Sequence, residues 1–305
     1  MTFEEKLRKT KKNLKTSSVN TYLRNIRRLR RAVHTDPIPS ASYEWLLEKK
    51  LGSWFEEQPL NVRRHMATAA QVALQVYGKT NDAWKERQKK AMKEFDEKRK
   101  GRDLSEKQKK LVPKQGFDSL KKIARDMTRE FGHILKTSPA EWSLSDLLKV
   151  QDLLIVSLYH NIPMRLDYAT LKVGEKSGNA IFKSTKKPRG WHVTLTDFKT
   201  EKSLGPQKFK PNVVNQRLLN KFIPATERLT DHGFLLSNRS GKKMSKQVLS
   251  KRLMKITKAR IGKGFGVQFM RILYAMQNRK VLETAKEVAQ KLMHNQSQSI
   301  LYSKK

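Results

Sequence analysis

The chain of 305 residues carries 66 Lys and Arg against 28 Asp and Glu, a formal net charge of +38. This surplus exceeds what solubility requires, and it predicts a polyanionic partner whose binding weakens as salt rises. The absence of Cys excludes disulfides and Cys-based nucleophiles or metal sites, and no apolar run reaches the ~18 residues of a membrane span. The N-terminus also lacks the apolar stretch of a secretory signal, so we expect an intracellular protein without a membrane anchor.

Residues 17–110 are predicted to be mostly helical. Ser17 and Ser18 are expected to cap a helix that begins near Val19, and apolar residues from Leu23 to Val33 then recur at helical spacing. Arginines occupy the other faces of this helix. A solvated surface helix would show the same pattern, but the lack of compensating acids favours a surface that binds phosphate groups. The candidate contacts are Arg24, Arg27, Arg28 and Arg31.

Two further helices are predicted at 61–77 and 81–100, followed by a basic linker over residues 98–116. The length of the chain favours two domains, which we place at residues 1–97 and 117–305. Residues 1–110 carry 28 basic and 14 acidic residues, and residues 111–305 carry 38 and 14. Both parts are therefore basic, as expected if both contact the same polyanion.

The second part is predicted to be helical with one small sheet. One helix opens near Phe117, and Ser143 caps a strongly apolar helix that runs to Leu158. Strands are predicted at 169–173, 179–184, 190–196 and 208–210, and further helices at 212–222, 245–261, 268–279 and 282–293. The predicted fold class is mainly α with a small antiparallel β-sheet.

Five polar residues stand out against this pattern. Arg165 follows Pro163 at the end of the apolar helix, and Lys199 lies in a turn between strands. Arg271 lies in the apolar stretch 265–274, where a buried guanidinium needs a partner; with only six acids in the last 125 residues, a bound phosphate is the better candidate. His294 and Tyr302 follow near the end of the chain. The seven His show no metal-ligand spacing, so no metal site is predicted.

In this order the residues resemble the motifs of the tyrosine recombinase (phage integrase) family. Segment 161–168 resembles the family's first Arg motif, in the Pro-x-Arg-x-Asp-Tyr form of integrases from large eukaryotic DNA viruses and related mobile elements. Segment 198–205 is similar to the hairpin that carries the family's Lys. Segment 268–271 is similar to the His-x-x-Arg motif, with Gln268 in place of His. Met293 and His294, followed by Tyr302, resemble the Gly-His…Tyr motif, with Met in place of Gly.

The resemblance implies an N-terminal helical core-binding domain and a C-terminal catalytic domain. It also implies double-stranded DNA as partner, assembly into a tetramer on DNA, and cleavage and rejoining of DNA through a 3′-phosphotyrosyl intermediate. No cofactor or metal is expected, since cationic side chains take the place of a metal. The implied catalytic residues are Arg165, Lys199, Gln268, Arg271, His294 and Tyr302.

Each implied role fits the chemistry of its side chain. Tyr302 is the nucleophile, and the two arginines clamp the non-bridging phosphate oxygens. Lys199 protonates the departing 5′-oxygen, although Lys202 could take the same part or contact DNA. His294 donates to the phosphate or moves the Tyr proton, and Gln268 can donate a hydrogen bond but transfer no proton. Asp167 either orients Arg165 or satisfies a turn.

Three other functions remain open at this stage. A type IB topoisomerase would use the same chemistry within one duplex, although the compact N-terminal helical domain favours a recombinase. A DNA-binding accessory protein with impaired catalysis is supported by Gln268 and Met293 and opposed by the retained arginines, Lys199 and Tyr302. A metal-dependent transposase or nuclease is the least favoured, because no cluster of carboxylates is visible in the sequence.

Overall fold

The structure is a computed structural model that describes residues 1–100 and 104–284. These residues fall into two compact units, divided between Leu104 and Ser105. The division lies inside the segment 98–116 that the sequence analysis predicts to be a linker. What each unit does stays a prediction. No helix in the described ranges is both long enough and apolar enough to cross a membrane.

The first unit consists of helices around one apolar core. They are α1 (Phe3–Thr10), α2 (Thr16–Arg31), α3 (Lys49–Glu56), α4 (Leu60–Val76) and α5 (Asp82–Lys100), with a 3-10 turn at Glu44–Leu47. Leu23, Ile26 and Leu29 of α2 are buried, as the helical spacing predicts. Trp84 fills the centre and donates from Nε1 to the carbonyl of Leu46 at 2.7 Å. The unit is therefore held by buried aromatic and aliphatic side chains rather than by its many charges.

Two details of the first unit differ from the sequence predictions. The helix predicted from Val19 begins at Thr16 with Lys15 as its N-cap, so Ser17 and Ser18 do not cap it. The helical spacing predicts that the arginines of this helix lie on its other faces, away from the apolar residues, but Arg30 is buried. Its guanidinium pairs with Asp36 at 2.5 Å and lies 5.4 Å from the Trp45 ring, which compensates its burial.

The second unit is mainly helical with a four-stranded sheet. Its helices are α6 (Glu106–Leu111), α7 (Ser119–Glu130), α8 (Gly132–Lys136), α9 (Leu144–Asn161), α10 (Glu201–Leu204), α11 (Val213–Leu229), α12 (Lys246–Ile261) and α13 (Val267–Gln277), and residues 279–284 are again helical. Short 3-10 turns lie at Gly116–Asp118, Pro139–Glu141 and Leu166–Thr170. The predicted helix 282–293 lies mostly outside the described residues.

The predicted cap of α9 is confirmed. The Ser143 hydroxyl accepts from the backbone N–H of Asp146 at 3.2 Å, and the Asp146 carboxylate accepts from the backbone N–H of Ser143, also at 3.2 Å. This capping box fixes where the helix starts. The apolar helix then runs to Asn161, three residues beyond the predicted end, and most of its side chains are buried in the core of the unit. Pro163 follows two residues later and disfavours further helix.

The strands are β1 (Lys172–Val173), β2 (Ala180–Ser184), β3 (Gly190–Leu195) and β4 (Gln207–Phe209), in the order β1-β2-β3-β4. The prediction of an antiparallel sheet is wrong for one pair, because β1 and β2 are parallel. Two parallel strands that follow each other in the chain require the loop between them to reverse direction twice. In this loop Gly174 and Gly178 have φ of 79° and 75°, values that glycine adopts without strain, and they allow both reversals in a short segment. β1 also starts later than predicted, because Leu166–Thr170 forms a 3-10 turn.

Residues 105–116, which lie in the segment 98–116 predicted as a basic linker, belong to the second unit. Ser105 and Gln108 form a capping box that starts α6. Leu111 and Val112 pack against the core of the second unit, and Lys263 donates from Nζ to the carbonyl of Val112 at 2.6 Å. Local capping and apolar contacts therefore order residues 105–112 of the predicted linker.

Candidate active site

Two buried tyrosines fix the backbone around Arg165. The Tyr159 hydroxyl donates to the carbonyl of Arg165 at 3.0 Å, and the Tyr168 hydroxyl lies 3.1 Å from the carbonyl of Leu158 and 3.0 Å from that of Ile162. The two rings meet edge to face, with centroids 4.9 Å apart. Burial raises the pKa of both hydroxyl groups, so both remain neutral donors at physiological pH. The end of α9 is thereby tied to the turn that carries Arg165.

The turn with Lys199 follows β3 and contacts Arg165. Arg165 donates from Nη1 to the Thr200 hydroxyl at 3.2 Å. Asn179 holds the start of the turn, since its Oδ1 accepts from the backbone N–H of Asp197 at 3.0 Å and its Nδ2 donates to the Asp197 carbonyl at 2.8 Å. The Lys199 side chain itself is exposed. The end of β3 and the contact of Thr200 with Arg165 therefore place Lys199 beside Arg165.

Gln268 and Arg271 lie three residues apart on α13 and so share one side of the helix. The loop before α13 is held against α12, because the buried Thr257 hydroxyl accepts from the backbone N–H of Phe265 at 3.0 Å. A Cβ at Gly264 would lie 3.3 Å from side-chain carbons of α12, so any larger residue there would have to displace these side chains by a few tenths of an ångström. The start of α13 is therefore fixed by packing against α12.

The guanidinium of Arg271 is half-buried near Arg165 and Asp167. Burial lowers the pKa of Arg271, the positive charge of Arg165 lowers it further, and the negative charge of Asp167 opposes both effects. An arginine remains charged despite such shifts. The structure thus keeps the guanidinium groups of Arg165 and Arg271 close enough for their charges to interact. The carboxylate of Asp167 lies near these cations and partly offsets their repulsion.

One cavity of about 820 Å³ is lined by three of the six predicted catalytic residues, Arg165, Lys199 and Gln268. It is bounded by residues of α6, the Arg165 turn, the Lys199 turn, α12 and the start of α13. The polar side chains that line it include Gln108, Arg165, Asp167, Lys199, Lys246, Ser250 and Gln268. Lys202 does not line it and is exposed on α10. Arg271 lines a separate groove of about 470 Å³ with Pro163 and Tyr274.

Sequence reasoning missed Lys246, the first residue of α12. Its Nζ lies 2.9 Å from Oδ1 of Asp167, whose side chain is buried. From the sequence, Asp167 is expected either to orient Arg165 or to satisfy a turn; in the structure its carboxylate pairs with Lys246. The two residues are 79 positions apart, and no motif in the sequence connects them.

Three of the predicted side chains have no protein partner among the described residues. Within residues 1–100 and 104–284, no hydrogen bond or ion pair reaches the side chain of Lys199, Gln268 or Arg271, although Arg271 is half-buried. Cationic side chains and an amide donor that have no carboxylate partner suit an anionic ligand. In the same ranges, no group of three or more His, Asp or Glu is arranged to hold a metal ion. Met293, His294 and Tyr302 lie outside the described residues.

The candidate DNA contacts of the first unit are exposed on α2. Arg24, Arg27, Arg28 and Arg31 all face solvent. Arg27 lies 3.5 Å from a Glu4 carboxylate oxygen, and Arg28 donates to the Gln58 side chain at 3.3 Å. Contacts of this length at the surface are weak, so both guanidinium groups remain able to bind phosphates.

No protein-family model matches the chain, and no curated protein sequence matches it either. The functional conclusion therefore depends on the residues of the site and on their arrangement.

Proposed function

We propose that the protein is a tyrosine recombinase, an enzyme that breaks and rejoins DNA at specific sites through a 3′-phosphotyrosyl intermediate. The observation that supports it most is the cavity in which Arg165, Lys199 and Gln268 meet. These residues come from three separate segments, and the charge of Arg165 acts on Arg271 close by. A phosphodiester is the anion that this set of donors suits.

The reaction assigns one task to each group. The Tyr302 oxygen attacks the scissile phosphorus, a bond from phosphorus to the tyrosyl oxygen forms, and the bond to the 5′-oxygen breaks. Lys199 donates a proton to that 5′-oxygen, and His294 accepts the proton that leaves the Tyr302 hydroxyl. Arg165 and Arg271 stabilise the charge that builds on the non-bridging oxygens. The energy of the phosphodiester is kept in the covalent link, and a free 5′-hydroxyl reverses the step.

Gln268 carries a different task from its neighbours. Its side chain is exposed at the start of α13 and lines the same cavity. An amide donates a hydrogen bond to a phosphate oxygen but cannot transfer a proton. In this proposal it holds the phosphate, and the proton transfers fall to Lys199 and His294.

The exposed arginines of α2 extend the proposal to the first unit. Arg24, Arg27, Arg28 and Arg31 would bind phosphates of the same duplex and position it without reading its sequence. The protein would act inside the cell on double-stranded DNA, with several copies assembled on their sites. The distribution of basic residues over both units supports this arrangement.

Suicide substrates test the proposal directly. A duplex with a nick next to the cleavage site loses the short 5′-hydroxyl strand after attack, so the covalent protein–DNA adduct accumulates and is seen on a denaturing gel. Tyr302→Phe should abolish the adduct and leave DNA affinity within a few-fold, since it removes a hydroxyl and no charge. An adduct that persists in Tyr302→Phe contradicts the assignment of the nucleophile. An adduct that needs Mg²⁺ indicates a metal-dependent enzyme.

A second candidate is a DNA-binding accessory protein with impaired catalysis. It is favoured by Gln268, which occupies the cavity without a titratable group. Specific DNA binding without any adduct on suicide substrates would support it. Relaxation of supercoiled DNA without strand exchange would instead indicate a topoisomerase.

A further inference from the structure

Asp167 is a buried carboxylate in a cluster of cations. Its residue is 5% exposed, and its only ion pair within the described residues is with Lys246, at 2.9 Å. Arg165 is two residues away along the chain, and the charge of Asp167 also acts on Arg271. The carboxylate thus lies two residues along the chain from Arg165 and within electrostatic range of Arg271, but it pairs with the ammonium group of Lys246.

The choice of partner matters because a guanidinium binds a carboxylate with two parallel hydrogen bonds. An arginine engaged in this way has fewer donors left for a phosphate. Within residues 1–100 and 104–284, the Arg165 side chain donates only to the neutral Thr200 hydroxyl, at 3.2 Å. Among the described residues, Arg271 has no hydrogen-bond or ion-pair partner at all. Both arginines are therefore available to an incoming anion.

The position of Lys246 is not explained by the needs of its helix. It is the first residue of α12, where Ser245 already caps the helix by accepting from the backbone N–H of Val248 at 3.2 Å. A positive charge is unfavourable at a helix N-terminus, since that end carries the positive end of the helix dipole. The pairing with the buried carboxylate offsets this cost.

We propose that Lys246 is a positioning residue that occupies the carboxylate of Asp167 and so keeps the guanidinium groups of Arg165 and Arg271 free to bind the phosphate. The role in cleavage rests on the proposed function. The pairing of charges does not, because it concerns groups of the protein alone. The two can therefore be tested separately.

The first test is a double-mutant cycle measured by single-turnover cleavage. Lys246→Met removes the charge and keeps much of the side-chain length, and it should slow cleavage about tenfold, a coupling typical of one ion-pair network. Asp167→Asn removes the carboxylate that would capture an arginine. Adding it to Lys246→Met should restore most of the lost rate, and Lys246→Arg, which keeps the charge, should stay near wild type.

Lys251→Met is the matched control. It removes the same charge from the same helix, but Lys251 lies about 140° around the helix from Lys246 and lines a different cleft with Leu148 and Met244. It should cleave at the wild-type rate. The proposal is wrong if Lys246→Met cleaves at the same rate as this control. It is also wrong if the loss of cleavage rate in the double variant equals the combined losses of Lys246→Met and Asp167→Asn. The second result would mean that Lys246 contacts the DNA itself.

The second test needs no DNA and no cleavage. Protein labelled with ¹⁵N-arginine gives Nε–Hε signals, and Arg165→Lys and Arg271→Lys assign the two of interest. Lys246→Met should shift at least one of them, because the carboxylate then turns to a guanidinium, and adding Asp167→Asn should reverse the shift. Signals that match those of Lys251→Met overturn the proposal. If wild-type protein forms no adduct, the proposed function fails while these signals still decide the pairing.

Discussion

At the scale of single residues, Arg165 and Arg271 repel each other electrostatically, and this repulsion lowers the stability of the folded protein. Two guanidinium groups whose charges act on each other are unfavourable in a half-buried place; burial first, and then the charge of Arg165, lowers the pKa of Arg271. One carboxylate, Asp167, offsets part of it, but Lys246 adds a further cation to the group. Such an arrangement gives up stability in the free protein, and binding of an anion would recover it.

The leaving-group role of Lys199 can be isolated by changing the leaving group. Lys199→Ala should cleave ordinary DNA slowly, since the 5′-oxygen must then depart without a proton. A substrate with sulfur at the 5′-bridging position should be cleaved by this variant at close to the wild-type rate, because a thiolate leaves unprotonated. Single-turnover rates on the two substrates measure the rescue.

Arg165→Ala and Lys202→Ala are the controls for this experiment. Arg165→Ala should be slow on both substrates, by about 2.7–4 kcal/mol or more in barrier height, since it loses charge stabilisation. Lys202→Ala should gain no more from the sulfur substrate than wild type does, because Lys202 does not line the cavity. Rescue of Lys202→Ala by sulfur, without rescue of Lys199→Ala, would transfer the role to Lys202.

The residues that the sequence could predict are those with a local signal. Arg165, Lys199 and Gln268 lie in short motifs, and the structure brings all three to one cavity. The contacts of Lys246 with Asp167 and of Thr200 with Arg165 join residues 79 and 35 positions apart. Such pairs arise only when helices and turns pack, so no local pattern indicates them.

The same distinction holds for whole elements. α9 was predicted at its true start because Ser143 and Asp146 cap it three residues apart. α1 carries a similar capping box in Thr2 and Glu5, a local signal for a helix that the sequence predictions do not include. The parallel pairing of β1 with β2 was not predictable from alternation, since strand direction depends on the path of the loop between them.

The packing of α12 on α9 includes one strong ion pair that can be tested. Arg252 donates from Nε and Nη2 to the two carboxylate oxygens of Asp152, both at 2.6 Å. Burial raises the pKa of Asp152, and the paired guanidinium opposes that rise. Arg252→Met leaves the carboxylate without its partner, so we expect a loss of about 2–4 kcal/mol in the free energy of unfolding.

Urea denaturation of the variants measures this loss. Lys149→Met is a matched control on α9, because its contact with Asp146 is longer, at 3.7 Å, and more exposed. It should change stability by about 0.5 kcal/mol or less. Equal losses in the two variants would mean that the Arg252 pair contributes no more than a surface contact. Since α12 also carries Lys246, a loosened α12 should lower cleavage as well.

At the scale of the whole molecule, charge dominates the behaviour of the protein. A net charge of +38 is spread over both units, and the exposed arginines of α2 and the cations of the cavity form part of it. A duplex that neutralises several of these groups releases its condensed counterions, so affinity should fall steeply as salt rises. The same charge makes two free copies of the protein repel each other.

Assembly should therefore depend on DNA. We expect a monomer in solution at moderate salt, because like charges oppose association, and a higher-order complex once DNA has neutralised them. Light scattering coupled to size-exclusion chromatography, with and without a duplex that carries the target site, measures both states. A non-specific duplex of equal length is the control, since it supplies the same phosphates without the site. A stable tetramer in the absence of DNA would show that apolar contacts between copies outweigh the repulsion, and that DNA is not what brings the copies together.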